Sequence, residues 1–147
     1  MSPSHPTSQL DIVRHHVQNM PMARTLDLRF ESLLAGQVVL SAPVQDGWCH
    51  APGQLQATAL FALADFAAVA SAATLLPAGW ANSTVDATIK LLAPARGNRL
   101  RAHGRVVQPG KTLSVCAADV YVLDGAHETL CATLLGTARN FALAGKL

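Results

Sequence analysis

Hydrophobic residues near the start of the chain recur at helical spacing. The apolar positions three or four residues apart are Leu10, Val13, Val17 and Met20. This spacing predicts a short amphipathic helix that packs on the domain. Pro21 follows directly, and because a proline inside a helix removes a backbone hydrogen bond, we expect the helix to stop there.

A long segment at positions 54–76 has a different composition, dominated by Ala, Leu and Phe and without an internal Gly or Pro. These residues favour a helix, and their apolar side chains lie on all sides of the helical axis. The segment therefore predicts one long helix that is buried on most sides. A membrane span is the alternative. Asp65 at the midpoint would cost about 2.5 to 3.5 kcal/mol in a bilayer, so no membrane contact is expected.

The other hydrophobic segments are typical of β-strands. Positions 26–31 alternate between apolar and charged residues, and a second strand-like run at 37–44 completes an opening hairpin. Four further strands are expected at 83–92, 99–107, 112–123 and 129–141. Because no helices separate these strands, the predicted fold class is α+β, with a curled antiparallel sheet wrapped around one long central helix.

The composition fits one globular domain. The chain has 147 residues, of which 50% are hydrophobic and 14% are charged, so a sizeable core can form. We expect an N-terminal extension with the short helix at 1–20 and a single domain at 21–147. The formal net charge of +2 is too small for the basic surface of a dedicated nucleic-acid binder.

The cysteines and the N-terminal sequence predict a cytoplasmic protein. Three cysteines without CxxC spacing argue against a disulfide framework and a zinc site, and positions 1–16 hold no apolar stretch of signal-peptide length. The six histidines show no cluster, and the HExxH and GxSxG motifs are missing. Positions 104–112 have the wrong glycine spacing for a phosphate loop. We therefore expect neither a metal nor a cofactor.

Asp65 is the one residue among Asp, Glu, Lys and Arg between Gly47 and Val85, and it lies in the middle of the helix expected to be most buried. An unpaired carboxylate in such a place costs several kcal/mol unless it faces a cleft or an interface. Two interpretations follow. Asp65 is either a structural carboxylate, hydrogen-bonded to backbone or to a partner subunit, or a functional one.

The segment before the long helix favours the functional interpretation. Positions 50–53 form a loop that leads to Gln56 and Ala57 at the helix N-terminus, where unpaired N–H groups and the helix dipole stabilise a developing negative charge. This arrangement predicts an oxyanion hole. Ala57 precedes Asp65 by two helical turns, about 12 Å along the axis, so one carbonyl group cannot touch both residues of one subunit. The two residues can act together only across a dimer.

Four stretches of the sequence carry a resemblance to a known family. They are Gly53, the helix ALFALAD at 59–65, the strand STVDATIKLLAPARG at 83–97 and the turn GKTL at 110–113. Over about residues 21–141 the chain resembles the hotdog-fold thioesterases, in particular the PaaI-type (phenylacetate-pathway) acyl-CoA thioesterases of the 4-hydroxybenzoyl-CoA thioesterase superfamily. The resemblance implies the hotdog fold, hydrolysis of an acyl-CoA thioester to a free acid and CoA, and a homodimer or a tetramer (dimer of dimers) with active sites at the subunit interface.

The resemblance also implies roles for individual residues. Asp65 matches the catalytic carboxylate, which acts as a general base or nucleophile on the thioester. The Ala57 amide matches a glycine N–H that polarises the thioester carbonyl, and Thr84 matches a hydroxyl that positions the hydrolytic water. His50 falls where most members carry Asn or Gln beside that carbonyl.

The loop before the helix departs from the family pattern N-x-x-G-x-x-H-G-G. It reads HAPGQLQAT at 50–58, so only Gly53 is kept. Ala57 retains the backbone donor provided that its Cβ does not block the thioester. Gln56 replaces the family's histidine, and it can donate a hydrogen bond but cannot transfer a proton.

Five residues are expected to contact the substrate. Arg96 and Lys111 are candidates for the CoA phosphates and Phe61 for the acyl pocket, with Gly53 and Thr112 beside them. Two other functions fit the fold. One is a non-catalytic module that binds or senses acyl-CoA. The other is a hotdog hydratase, which is less favoured because it requires a histidine near the central helix and none follows Asp65 before position 103.

Overall fold

A six-stranded antiparallel sheet curls around one long helix in the computed structural model, which describes residues 8–143. In chain order the elements are α1 (Gln9–Gln18), α2 (Pro21–Thr25), β1 (Arg29–Leu34), β2 (Gln37–Pro43), β3 (Cys49–Ala51), β4 (Gln54–Leu55), α3 (Ala57–Ala73), β5 (Trp80–Leu91), β6 (Arg99–Gln108), β7 (Leu113–Asp124) and β8 (His127–Ala142). The predicted α+β class and the curled antiparallel sheet around a central helix are confirmed.

The strand order of the main sheet is β1-β2-β6-β7-β8-β5, and every neighbouring pair is antiparallel. The chain leaves α3 and enters β5 at one edge of the sheet, and β1 forms the other edge. β3 and β4 pair with each other in a small hairpin just before α3, outside the main sheet. Among residues 8–143, one side of the long strand β5 has no partner strand.

The small side chains of α3 allow it to lie close against the inner face of the sheet. Leu63, Ala64, Ala67 and Ala68 are fully buried. On β6, a Cβ at Gly104 would overlap the carbonyl oxygen of Ala67. A helix of alanines opposite a glycine in the strand therefore brings the two backbones together, and larger residues on either side would push α3 away from the sheet.

The N-terminal helix α1 packs on the domain, as its spacing predicts. Its N-cap is Ser8, whose hydroxyl accepts a hydrogen bond from the Asp11 amide at 3.1 Å. Val13 and Val17 are buried, and the Gln9 side chain donates to the carbonyl oxygen of Ala73 at 3.0 Å. Residues 1–7 of the predicted extension and residues 144–147 lie outside the described part of the chain. The division of the chain at positions 20 and 21 stays a prediction.

Three local predictions differ from the structure. Pro21 does not simply end a helix, because it occupies the first position of α2, where proline is tolerated. Leu26 therefore caps that short helix and is not part of the first strand. The long helix begins at Ala57, because Gln54 and Leu55 pair with β3 instead of continuing it.

Candidate active site

Asp65 and Thr84 are brought together where β5 runs antiparallel beside α3. The Thr84 hydroxyl donates a hydrogen bond to Asp65 Oδ1 at 2.8 Å, and one turn along the helix the Asn82 side chain donates to the carbonyl oxygen of Val69 at 3.0 Å. Two residues along a strand span about 6.6 Å and four along a helix span about 6 Å, so the two contacts fit the same alignment. This alignment of β5 along α3 holds the Thr84 hydroxyl against the Asp65 carboxylate.

The Asp65 carboxylate is half-buried. Burial raises its pKa above the ordinary value for an aspartate, and the hydrogen bond from Thr84 acts in the opposite direction. None of the salt bridges among residues 8–143 involves Asp65. A partly desolvated carboxylate with a hydroxyl partner and no cation is a stronger base than one in water.

The thiol of Cys116 lies in the core below this pair and is fully buried. Burial raises its pKa to about 11, and the negative charge of Asp65 contributes to the shift in the same direction. Cys116 is therefore protonated at neutral pH and is not a nucleophile.

A cavity of ≈ 380 Å³ opens beside the Asp65–Thr84 pair. Its apolar walls come from α1, the N-cap of α2 and α3, with Val13, Val17, Met20, Phe66, Val69 and Ala73 among them. Trp80, at the start of β5, and the exposed side chain of His16 also line it. No pattern in the sequence connects α1 with Asp65, although the buried face of α1 follows from its helical spacing.

The three residues predicted at the carbonyl line a second cavity, of ≈ 510 Å³. They are His50, Gln56 and Ala57, which lie opposite the segment 91–95. Gln56 is the N-cap of α3 but makes no side-chain capping hydrogen bond. Within residues 8–143, the Ala57 amide has no hydrogen-bond acceptor. The first turn of α3 therefore presents an unpaired N–H group to this cavity.

The two predicted halves of the site are thus separate within one chain. None of the residues in the described part of the chain lines both cavities. Ala57, Phe61 and Asp65 are spaced four residues apart on α3, so they share one face of the helix, with Phe61 midway between the other two. Phe61 is 36% exposed, although it lies on the otherwise mostly buried central helix.

The remaining predicted substrate contacts line neither cavity. Gly53 has a φ of +70° in the turn between β3 and β4, a conformation that favours glycine. Arg96 is exposed, and its backbone forms a bridge with Gln54 beside the second cavity. Lys111 and Thr112 are exposed in the turn between β6 and β7.

The described residues contain no cluster of three or more His, Cys, Asp or Glu side chains that could hold a metal ion. Over the same part of the chain, helices long and apolar enough to cross a membrane are also lacking.

Known proteins match this chain in sequence and in fold. The model of the thioesterase superfamily matches residues 57–128, which include Ala57, Asp65 and Thr84. A thioesterase family protein from Silicibacter pomeroyi is 30% identical, with a TM-score of 0.89 over 92% of this chain and 99% of that chain. The comparison with curated proteins returns no match.

Two further solved structures are similar in fold. The PaaI protein of the E. coli phenylacetic acid degradation operon is 21% identical, with a TM-score of 0.78 over 91% of this chain and 94% of that chain. A thioesterase from Haemophilus influenzae is 17% identical, with a TM-score of 0.79 and 88% of each chain covered. At these identities the likeness concerns the fold alone.

The chain belongs to the thioesterase superfamily, and its fold is the hotdog fold. It is a thioester hydrolase. The identification of a hotdog-fold thioesterase from the sequence is therefore confirmed.

Proposed function

We propose that the protein hydrolyses acyl-CoA thioesters to a free acid and CoA, with Asp65 as the catalytic carboxylate. The observation that carries the proposal is the hydrogen bond from Thr84 to a half-buried Asp65 that borders an apolar cavity. Asp65 either removes a proton from a water held with Thr84 or attacks the thioester directly. The Thr84 oxygen still has lone pairs to accept a hydrogen bond from that water.

The oxyanion is proposed to bind at the N-terminus of α3 in a second subunit. The Ala57 amide supplies the backbone donor, and the side chains of His50 and Gln56 supply further hydrogen bonds from the same cavity. A carbonyl oxygen that receives these donors as its negative charge develops is stabilised most in the transition state.

The geometry of α3 supports a shared site. If two copies of α3 pack antiparallel about a two-fold axis at Phe61, Ala57 of each copy lies opposite Asp65 of the other. The free edge of β5 supports the same arrangement. It is 12 residues long and carries Val85 at 55% exposure, and a long free edge normally pairs or is covered.

We expect the protein to be at least a homodimer, with a mass of about twice 15.4 kDa by light scattering at micromolar concentration. Phe61→Arg should shift the mass to that of a monomer, because it places a charge at the proposed axis. Leu34→Arg is the matched control, since Leu34 is 57% exposed and lines neither cavity. A wild-type monomer with full activity would disprove the shared site.

CoA is proposed to bind across a shared site, because Arg96 adjoins the second cavity of one subunit and Lys111 and Thr112 lie at the same end of the sheet as Ser83 and Thr84 in the other. Arg96 and Lys111 are exposed and free of the salt bridges found among residues 8–143, so both are available to phosphate groups. Thr112 adjoins Lys111, and the Gly53 turn adjoins the cavity next to His50.

The pH dependence of kcat/KM should follow the Asp65 carboxylate. Activity requires the ionised form, so kcat/KM falls as the pH drops through the pKa of Asp65. The Thr84 hydrogen bond lowers that pKa, so Thr84→Val should move the acidic limb to higher pH, whereas Thr84→Ser should leave it nearly in place. Thr133→Val is the control, because Thr133 donates to Asp119 instead. If the acidic limb of the pH profile stays at the wild-type position in Thr84→Val, that limb does not report the ionisation of Asp65.

The direct test is thiol release from a panel of aryl-CoA, short-chain and medium-chain acyl-CoA substrates. Turnover of at least one substrate, at a rate well above the uncatalysed rate, is the expected result. Tight binding of a non-hydrolysable acyl-CoA analogue without turnover of any substrate would instead support the alternative, a non-catalytic module that binds or senses acyl-CoA.

A further inference from the structure

The cavity beside Asp65 extends away from the proposed reaction centre along the whole C-terminal half of α3. Asp65 and Thr84 are at one end, while Ala73 and Trp80 line the other. From Asp65 to Ala73 the helix rises about 12 Å. Because β5 runs back along α3 over the same distance, the cavity is elongated and open to the carboxylate at one end.

The outer wall of this cavity is α1. Val13 and Val17 are the buried residues of that helix, and both line the cavity together with Met20. The Gln9 side chain ties α1 to the end of α3 at Ala73. This helix lies outside residues 57–128, which match the thioesterase superfamily, so the wall is built by a segment beyond that match.

From this geometry we infer that the acyl group of the substrate is an unbranched aliphatic chain of about eight to ten carbons, bound between α1 and α3, and that α1 sets its length. The inference rests on the proposed function, because Asp65 marks where the thioester carbonyl lies. Three bonds of a fully extended backbone span about 3.3 to 3.6 Å, so about 12 Å corresponds to roughly ten bonds.

Volume and polarity agree with this length. A cavity of about 150 Å³ already holds a benzene ring. The ≈ 380 Å³ found here would leave more than half of its space empty around a single aryl group. Beyond Asp65 and Thr84, the walls facing the acyl chain are mainly apolar. The Asn82 side chain is hydrogen-bonded to the carbonyl oxygen of Val69, and His16 is exposed on α1. An apolar tail that fills the cavity therefore gains more than a small or polar one.

The test compares kcat/KM for acyl-CoA substrates from butyryl to hexadecanoyl, together with benzoyl-CoA. Each buried methylene is worth about fourfold in affinity, so we expect kcat/KM to rise at least tenfold from butyryl to octanoyl and to level off beyond decanoyl. A maximum with benzoyl-CoA or butyryl-CoA would overturn the inference.

Two variants should move the preferred length in opposite directions. Val69→Phe on α3 narrows the cavity and should lower the decanoyl-to-butyryl ratio of kcat/KM at least tenfold, whereas Val17→Ala on α1 widens it and should raise activity on longer chains. Leu34→Phe is the control, since it adds an aromatic ring outside both cavities. Thermal melts confirm that each variant is folded. Unchanged chain-length profiles in both folded variants would contradict the inference.

Binding to S-alkyl-CoA thioethers, which cannot be hydrolysed, separates this inference from the proposed function. If no substrate is turned over but thioether affinity still rises with the length of the alkyl chain and falls in Val69→Phe, the proposed hydrolase mechanism is wrong and the proposed acyl-chain site is supported. If turnover is present but neither kcat/KM nor thioether affinity depends on acyl-chain length, the proposed mechanism is supported and the proposed acyl-chain site is wrong.

Discussion

Asp65→Asn is expected to lower kcat/KM by about 10²-fold to 10⁴-fold on the best acyl-CoA substrate, the range typical for loss of a general base. The asparagine has nearly the same shape and can still accept the hydrogen bond from Thr84, but it cannot take a proton or attack a carbonyl. Steady-state assays of thiol release measure the effect. A loss below about tenfold, equivalent to ~1.4 kcal/mol, would contradict the catalytic assignment.

The chain contains a matched control for this substitution. Asp119 accepts a hydrogen bond from Thr133 at 2.7 Å, the same kind of pair as Asp65 with Thr84. Asp119 lies between the buried residues Ala118 and Val120 of β7, so it points to the opposite face of the sheet from the helix. Asp119→Asn should therefore leave kcat/KM unchanged and show that the loss in Asp65→Asn is specific to the cavity.

Stability gives an independent readout for Asp65→Asn. Because burial raises the pKa of Asp65 above its value in the unfolded chain, its contribution to folding is most favourable below the unfolded pKa and declines as the pH rises through the folded one. At neutral pH the ionised carboxylate therefore costs stability. The asparagine removes that cost, so the melting temperature at neutral pH should be unchanged or higher while activity is lost.

The central helix and its carboxylate were predictable because each has a strong local signal. Alanine and leucine without an interrupting glycine or proline specify α3, and a lone charge among apolar residues identifies Asp65 whatever the tertiary structure. The strands of the sheet were predictable for a similar reason, since their composition favours extended backbone.

The parts that escaped prediction depend on contacts between distant segments. Gln54 and Leu55 have no intrinsic preference against helix, and they form β4 because β3 lies beside them. The helical spacing of α1 predicted a buried face but not that this face would line a cavity beside Asp65. Likewise, the pairing of Thr84 with Asp65 was implied by the family resemblance. Its physical basis is the alignment of β5 along α3, which brings the two side chains within hydrogen-bond distance.

Ala57→Pro is expected to lower kcat strongly, because it changes the proposed oxyanion site at the second cavity. Proline removes the proposed oxyanion donor, and loss of one such donor costs about 10²-fold to 10³-fold in kcat. The fold should tolerate the change. Ala57 is the first residue of α3, where proline is favoured, and Gln56 already has the extended backbone that a following proline requires, with φ −65° and ψ 143°. Circular dichroism and thermal melting of the variant check that α3 is intact.

Mixing this variant with Asp65→Asn tests whether each site is built from two subunits. Each homodimer lacks one group at both of its sites. In a mixed dimer, one site combines the intact Asp65 of one subunit with the intact Ala57 amide of the other, and the second site lacks both groups. Random exchange makes half of the dimers mixed, so co-refolded variants should recover about a quarter of the wild-type activity. If both groups acted within one chain, every site would still lack one of them and mixing would restore nothing.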